Sequence, residues 1–359
     1  MLKLLEKIQI GSLELKNRVI MAPCTRMRSN PNGVPSDLNV EYYAQRASAG
    51  LIIAESTSIS KHGVGYVNAP AIYTQEQVQG WKKVTDAVHK KGGKIFLQIL
   101  HVGRISHSDF FDGELPIAPS SIKANGQGYT PKGLKDFEIP RELKLDEISS
   151  IINDFKVAAQ NAKDAGFDGV ELHGANGYLI NQFIDDISNK RTDVYGGSIP
   201  NRSKFLFDVL DVILDVWDNK RVGVRLSPSG LFNSVGDSDS KNTYTYVIEK
   251  LNDYNLGYLH LMNPMMPIDE FSEMESNVSS FYGKLYDGNC IINGGYTRET
   301  GNEAVRNGVA EMVSFGHLFI ANPDLPRRFE LNSEFNNEKP ELFYGGGEEG
   351  YIDYPFLES

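Results

Sequence analysis

Short apolar runs rich in Ile, Val and Leu recur along the chain, each closed by glycine or polar residues and followed by a longer segment whose apolar positions have helical spacing. Such runs predict buried strands at 17–22 (NRVIMA), 50–55 (GLIIAE), 94–99 (KIFLQI), 168–172 (DGVEL), 221–226 (RVGVRL), 257–262 (GYLHLM), 289–293 (NCIIN) and 310–315 (AEMVSF). Between them the spacing predicts helices at 36–48, 75–91, 144–165, 200–217, 242–253, a weak one around 274–286, then 297–307 and 322–330. In the helix at 144–165, Asp146 supplies a start signal, and Ile148, Ile151, Ile152 and Phe155 supply a face to bury. Strands and helices in this alternation predict an α/β chain folded as a (β/α)₈ TIM barrel; a doubly wound open sheet is the alternative.

Two segments depart from a bare barrel. KIQIGSLELKNR at 7–18 places two alternating stretches around Gly11-Ser12, the pattern of an N-terminal β-hairpin plugging the barrel's bottom. The segment from about 103 to 143, rich in Gly, Pro and Ser, is a long loop insertion after strand 3, of the kind used as a lid or binding loop. With neither a repeat nor a linker between segments, residues 1–359 read as one domain.

Composition narrows the classes of function. The formal charge of -11 argues against a phosphate-neutralising stripe, so no nucleic-acid partner is expected. Lys3, Glu6 and Lys7 interrupt what would have to be a signal core, and no apolar run reaches membrane-spanning length. A soluble, cytoplasmic protein with a small-molecule partner is therefore expected. Only Cys24 and Cys290 are present, too few for a disulfide framework or a thiolate cage, and no metal is expected.

Barrel chemistry sits at the carboxyl ends of the strands. The residues there are Thr25, Ser56, Gln98, His173, Arg225, Asn263-Pro264, Gly294-Gly295 and Gly316-His317. Taken singly, each has a structural explanation: Gln98 and Arg225 as core or ion-pair residues, the glycines as turns, His173 as a hydrogen-bonded histidine. Their convergence on one face points to a site. The run ELHGANGYLINQF at 171–183 is sharper, placing His173, Asn176 and Tyr178 in one short polar loop ahead of an apolar helix start. His and Asn side chains can both donate to a carbonyl oxygen and stabilise an enolate, and a phenol is a workable acid toward an enolate carbon. A flavin-free isomerase or lyase using His173 and Tyr178 as an acid/base pair fits the same residues. Metal hydrolysis lacks an HExxH spacing, and serine hydrolysis lacks a nucleophile elbow.

The chain also resembles the old yellow enzyme family of FMN-dependent ene-reductases. The matching segments include MAPCTRMR (21–28), LIIAEST (51–57), GYVNAP (65–70), LQILHVGR (97–104), DGVELHGANGYLINQF (168–183), RTDVYGGSIPNR (191–202), VGVRLSP (222–228), NGGY (293–296), FGHLFIANPDL (315–325) and GYIDYPF (350–356). The resemblance implies a bound FMN contacted at its edge by Pro23 and Thr25, with Ser56 near the ring, Gln98 at the pyrimidine edge and Arg225 beside N1 and O2. It implies a phosphate cradle of Gly294, Gly295, Gly316 and His317. It implies that His173 and Asn176 hold the substrate's carbonyl oxygen, that Tyr178 donates the proton, and that Tyr66, Leu100 and Tyr351 line the substrate cavity. Hydride would pass from NADPH, or alternatively NADH, to flavin N5 and then to the β-carbon of an activated alkene or to a quinone, in a ping-pong cycle. A monomer or homodimer is expected. An FMN-binding module without turnover is the remaining alternative.

Three positions depart from the family pattern. His317 stands where arginine is usual; because an unperturbed imidazole titrates near pH 6.5, FMN binding is expected to weaken between about pH 6 and 8, unless Arg298 or Arg327 compensates. Leu100 replaces a common aromatic, so a roomier cavity is expected there. Cys24 lies one residue before the position of a flavin-tuning cysteine in one branch, and reads as a small packing residue.

Overall fold

The computed structural model describes residues 2–268 and 274–358. Its first sheet is the antiparallel hairpin β1 (Ile8–Ile10) and β2 (Leu13–Leu15), paired Ile8 to Leu15 and Ile10 to Leu13. Alternation puts Gln9 and Glu14 in solvent and turns Ile10, Leu13 and Leu15 inward. These three pack against Ile20, Leu51, Ile53, Phe96, Tyr258, Ile291 and Met312, which come from six different barrel strands. The hairpin thus closes the bottom of the barrel.

The chain continues through β3 (Val19–Met21), α1 (Asp37–Gln45), β4 (Leu51–Ser58), α2 (Gln75–Lys90) and β5 (Ile95–Leu100). An insertion follows, carrying β6 (Ile117–Ala118), the hairpin β7 (Gln127–Thr130) and β8 (Gly133–Asp136), and β9 (Arg141–Glu142), which pairs with β6. Beyond it come α3 (Leu145–Asp164), β10 (Gly169–Gly174), α4 (Leu179–Ile184), α5 (Ile199–Leu214), β11 (Val222–Leu226), α6 (Ser240–Leu251), β12 (Tyr258–Met262) and α7 (Val278–Tyr282). The barrel is completed through β13 (Cys290–Asn293), α8 (Arg298–Arg306), β14 (Met312–Phe315), α9 (His317–Ala321) and α10 (Leu325–Leu331). The parallel strands close in the order β10-β11-β12-β13-β14-β3-β4-β5, so the open-sheet alternative is excluded.

All eight predicted strands form. Each is covered on both faces, which is why it reads as a continuous apolar run; all residues of β4 and β5 are buried. The helices form too, with ends shifted by up to three residues, and the weak one around 274–286 is reduced to α7. α3 begins at Leu145, with Lys144 as its cap, so Asp146 lies in the first turn and not at the start. Its buried face is Ile148, Ile151, Phe155, Ala158 and Ala162, a helical repeat.

Successive inward-facing positions along the strands are two residues apart, so the barrel interior is layered. The lowest layer is apolar. Phe96 and Tyr258 fill it because their neighbours there are glycines: a Cβ on Gly169 would lie 2.4 Å from the Phe96 ring, and one on Gly223 would lie 2.3 Å from the Tyr258 ring. The layer above is polar and contains Gln98, Glu171, Arg225, His260, Asn293 and Ser314. Above that the barrel opens.

Candidate active site

A cavity of about 630 Å³ occupies the carboxyl ends of the strands. Its walls come from the loops after β3, β10, β13 and β14, from the insertion, and from the C-terminal segment. Of the residues singled out from sequence, Pro23, Thr25, Tyr66, Asn176, Tyr178, Arg225, Gly294, Gly295, Gly316 and His317 line it together.

The loop after β10 is held tightly. Asn176 has a left-handed backbone (φ 58°), as does Gly177 (φ 76°). The turn persists because its backbone groups are satisfied: Asn176 N donates to Ser227 Oγ at 3.0 Å, Gly177 N to Asn181 Oδ1 at 2.9 Å, and Gln182 Nε2 to Gly177 O at 2.7 Å. A side chain at position 177 would meet Asn233 Cβ at 2.6 Å. With its backbone so anchored, Asn176 presents its side chain to the cavity and Tyr178 caps α4.

His173 is buried just behind the cavity lining and lies against Tyr178, ring centroids 5.0 Å apart at 73°. Its Nδ1 accepts from Ala175 N at 3.4 Å, which assigns the remaining proton to Nε2. Burial, reinforced by the Arg225 charge, pushes the imidazole well below its usual value, so His173 is a neutral donor. Tyr178 is shifted the other way: burial raises its phenol well above the usual value, and its proton is firmly held. The Tyr178 hydroxyl is 2.7 Å from that of Tyr66.

Arg225 rises from the polar layer. Its Nη2 donates to Asn293 Oδ1 at 2.8 Å, while its buried Nε has no hydrogen-bond partner among the described residues. Beneath the cavity floor, Ser56 Oγ donates to Gln98 Oε1, and Gln98 Nε2 donates to Glu171 Oε1 at 2.7 Å. Glu171 Oε2 takes the Nδ1 proton of His260 at 2.8 Å, and His260 Nε2 meets Ser314 Oγ at 2.8 Å. Burial opposes the Glu171 charge, but His260, Arg225 and Gln98 outweigh it and hold the carboxyl below its ordinary range. Burial pushes His260 down, consistent with a neutral ring that donates to Glu171 and accepts from Ser314.

The Gly294-Gly295 loop begins directly after Asn293, the hydrogen-bond partner of Arg225. Gly294 (φ 102°) and Gly295 (φ 76°) follow β13, and nothing approaches a Cβ on Gly295 within 4 Å. A Cβ on Gly316 would meet Cys24 Sγ at 3.2 Å. Cys24 lines the cavity between Pro23 and Thr25 and packs beside Ile320, Ala321, Phe343 and Tyr354; burial raises its thiol. His317 starts α9 with its side chain 65% exposed and its Nδ1 3.7 Å from Glu338 Oε2. Arg298 is committed to Phe329 O and Glu299, and Arg327 to Glu330; neither lines the cavity.

Two assignments need correction. Tyr351 is wholly buried and does not line the cavity: its ring stacks on Tyr42 at 4.1 Å, with the Arg26 and Arg28 guanidinium groups 5.0 and 4.6 Å from its centroid. The same C-terminal segment contributes Phe343 and Tyr344 instead. Arg26 and Arg28 fasten it there by donating to the carbonyls of Phe343, Leu342 and Gly350. Leu100 also lies off the cavity surface, in an apolar layer behind Tyr66, Tyr178 and Phe137, so it acts on pocket size only through those rings. The insertion brings Gln127, Gly128, Tyr129 and Phe137 to the wall, none of them singled out from sequence.

Residues 3–336 match the model of the NADH:flavin oxidoreductase / NADH oxidase family. The chain belongs to this family. Among its relatives, the 12-oxophytodienoate reductase 1 of Oryza sativa subsp. japonica is 45% identical, over 99% of this chain and 93% of the relative. The 12-oxophytodienoate reductase 2 of Arabidopsis thaliana is 42% identical, over 99% and 96%. The structure of morphinone reductase in complex with tetrahydroNAD superposes with a TM-score of 0.93 at 44% identity, covering 99% of this chain and 98% of that one. The old yellow enzyme homologue from Zymomonas mobilis gives 0.94 at 41%, covering 99% and 100%. The old yellow enzyme resemblance and its barrel are thereby established, and the protein is an FMN-family oxidoreductase that uses a nicotinamide reductant. That closes the flavin-free isomerase or lyase reading. Among the described residues no helix is long and apolar enough to cross a membrane.

The cavity of this flavin oxidoreductase suits the cofactor of its family. An unpartnered buried guanidinium N–H calls for an acceptor, which the pyrimidine edge of a flavin offers. The open space at Gly295, with Gly294 and Gly316 also lining the cavity, leaves room for a phosphate, and His317 is the basic side chain beside them.

Proposed function

We propose that the cavity reduces the carbon–carbon double bond of an α,β-unsaturated carbonyl compound, or a quinone, with NADPH as the preferred reductant. The carrying observation is that Arg225, with its free Nε, and Asn176 and Tyr178, with their polar side chains, face one cavity. A bound FMN would supply the hydride chemistry linking NAD(P)H to the substrate's β-carbon.

The chain's own residues do the rest. Arg225 and Gln98, the latter oriented by Glu171, would hold the flavin's pyrimidine edge, Arg225 favouring negative charge there, and Ser56, Pro23 and Thr25 would contact its ring. Gly294, Gly295, Gly316 and His317 cradle the phosphate. Neutral His173 and Asn176 donate to the carbonyl oxygen, so negative charge gathering on it as the β-carbon is attacked is stabilised without reorganisation. Tyr178 delivers a proton to the α-carbon. Tyr66, Tyr129, Phe137 and Tyr344 shape the walls. Residues 1–359 work as one unit in this reading, the segment 103–143 supplying the lid.

Anaerobic absorbance tests this directly. NADPH is expected to bleach the flavin band of the purified protein within seconds, and 2-cyclohexenone to restore it. A protein that binds FMN but is not bleached would be a module without turnover, and a colourless protein that cannot be loaded with FMN would sink the reading.

A further inference from the structure

The proton donor in this cavity does not stand alone. Tyr66 reaches in from the loop after β4 and Tyr178 from the start of α4, and their hydroxyls meet at 2.7 Å with the rings nearly perpendicular. Both line the cavity. Behind them Leu100, Val102, Ile105 and Ala124 form a buried apolar wall. Losing a proton is therefore costly for Tyr178, because the phenolate left behind has little water to solvate it. One neighbouring hydroxyl can offset that cost, and it belongs to Tyr66.

We infer that Tyr66 is a positioning residue for the proton transfer: it donates a hydrogen bond to the Tyr178 oxygen as that oxygen becomes negative, and then returns the proton. This rests on the reading of Tyr178 as the donor. In the forward step the Tyr178 O–H bond breaks, and the electron pair of the substrate's enolate forms a C–H bond at the α-carbon. The Tyr178 oxygen keeps the O–H electron pair as phenolate, facing the Tyr66 O–H. In the return step the Tyr66 O–H bond breaks as the Tyr178 O–H bond re-forms, and Tyr66 recovers a proton from water at the cavity mouth. No oxidant or reductant is involved beyond the hydride already supplied. Charge-assisted hydrogen bonds are the strong class, so removing this one is expected to slow protonation by roughly ten- to a hundred-fold.

The test compares Tyr66→Phe with wild type, both loaded with FMN, in stopped-flow reoxidation by 2-cyclohexenone and by a benzoquinone. An enone must take its proton on carbon, whereas a quinone takes protons on oxygens that water can serve. The enone-to-quinone rate ratio is expected to fall at least tenfold in Tyr66→Phe. In parallel, ¹³Cζ-tyrosine NMR of the oxidised, substrate-free protein, with the Tyr178 signal assigned by its loss in Tyr178→Phe, is expected to show that signal shifted in Tyr66→Phe. An unchanged rate ratio overturns the inference, and so does an unmoved Tyr178 resonance. If Tyr178→Phe also leaves the enone rate intact, the donor reading itself has failed; if only Tyr66→Phe does, the donor stands and Tyr66 is merely a wall.

Discussion

Glu171 Oε2 and His260 Nδ1 meet at 2.8 Å in the middle of the barrel, two strands apart and without exposed surface. The other carboxylate oxygen takes the Gln98 amide at 2.7 Å, so this one side chain satisfies two buried donors. Removing it should be expensive in one way and cheap in another. Glu171→Ala strands both donors and is expected to destabilise the protein by about 2–5 kcal/mol. In Glu171→Gln, His260 can move its proton from Nδ1 to Nε2 and accept from the new amide while donating to Ser314, so the expected loss is only about 1 kcal/mol. Urea unfolding measures both, and ¹⁵N shifts of His260 report the tautomer; equal losses in the two variants would refute this account of the network.

Asp185 gives a pH-dependent stability. Burial, then the Asp237 charge, raise its carboxyl to about 7, although Tyr244 donates to it at 2.8 Å. An unfolded Asp titrates near pH 3.9. Below about pH 4 both states are protonated, and between about pH 4 and 7 the folded state keeps a proton that the unfolded state has lost. Stability is therefore fully present at low pH on this group's account and falls as pH rises through that window, by something on the order of a few kcal/mol. Wild type and Asp185→Asn compared at pH 4.5 and 8 should show the variant gaining relative stability at the higher pH. A constant difference would mean Asp185 is not protonated in the fold.

Gly177→Ala is expected to cost about 2 kcal/mol or more, because the positive φ of 76° is unfavourable for alanine and its Cβ would meet Phe232 O at 2.7 Å as well as Asn233. Chemical denaturation checks it. A loss below about 0.5 kcal/mol would show that the turn carrying Asn176 and Tyr178 adapts easily.

Much of this was legible in the sequence, and the reasons differ by region. The eight barrel strands could be read because burial on both faces leaves an unbroken apolar run, and the plug hairpin because one face stays in water. The loop 173–178 stood out because polar residues crowd between two buried elements. The β7–β8 hairpin is not legible: GLKD is mostly exposed, and QGYT turns Gly128 and Thr130 inward rather than apolar residues. Which of Tyr344 and Tyr351 lines the cavity is not written in the sequence, because it depends on how Arg26 and Arg28 clasp a segment more than 300 positions away. No local pattern encodes that contact. Likewise His260 is an ordinary strand residue in sequence, and only the strand order, which sets β12 two strands from β10, joins it to Gln98 through Glu171.

The central claim is that Tyr178 protonates the substrate carbon in a cavity that reduces activated alkenes. It is tested most directly by reducing wild type and Tyr178→Phe anaerobically with NADPH and timing reoxidation by 2-cyclohexenone. The account expects both proteins to bleach at similar rates and the variant to reoxidise at least tenfold more slowly. Reoxidation of Tyr178→Phe as fast as wild type would contradict it.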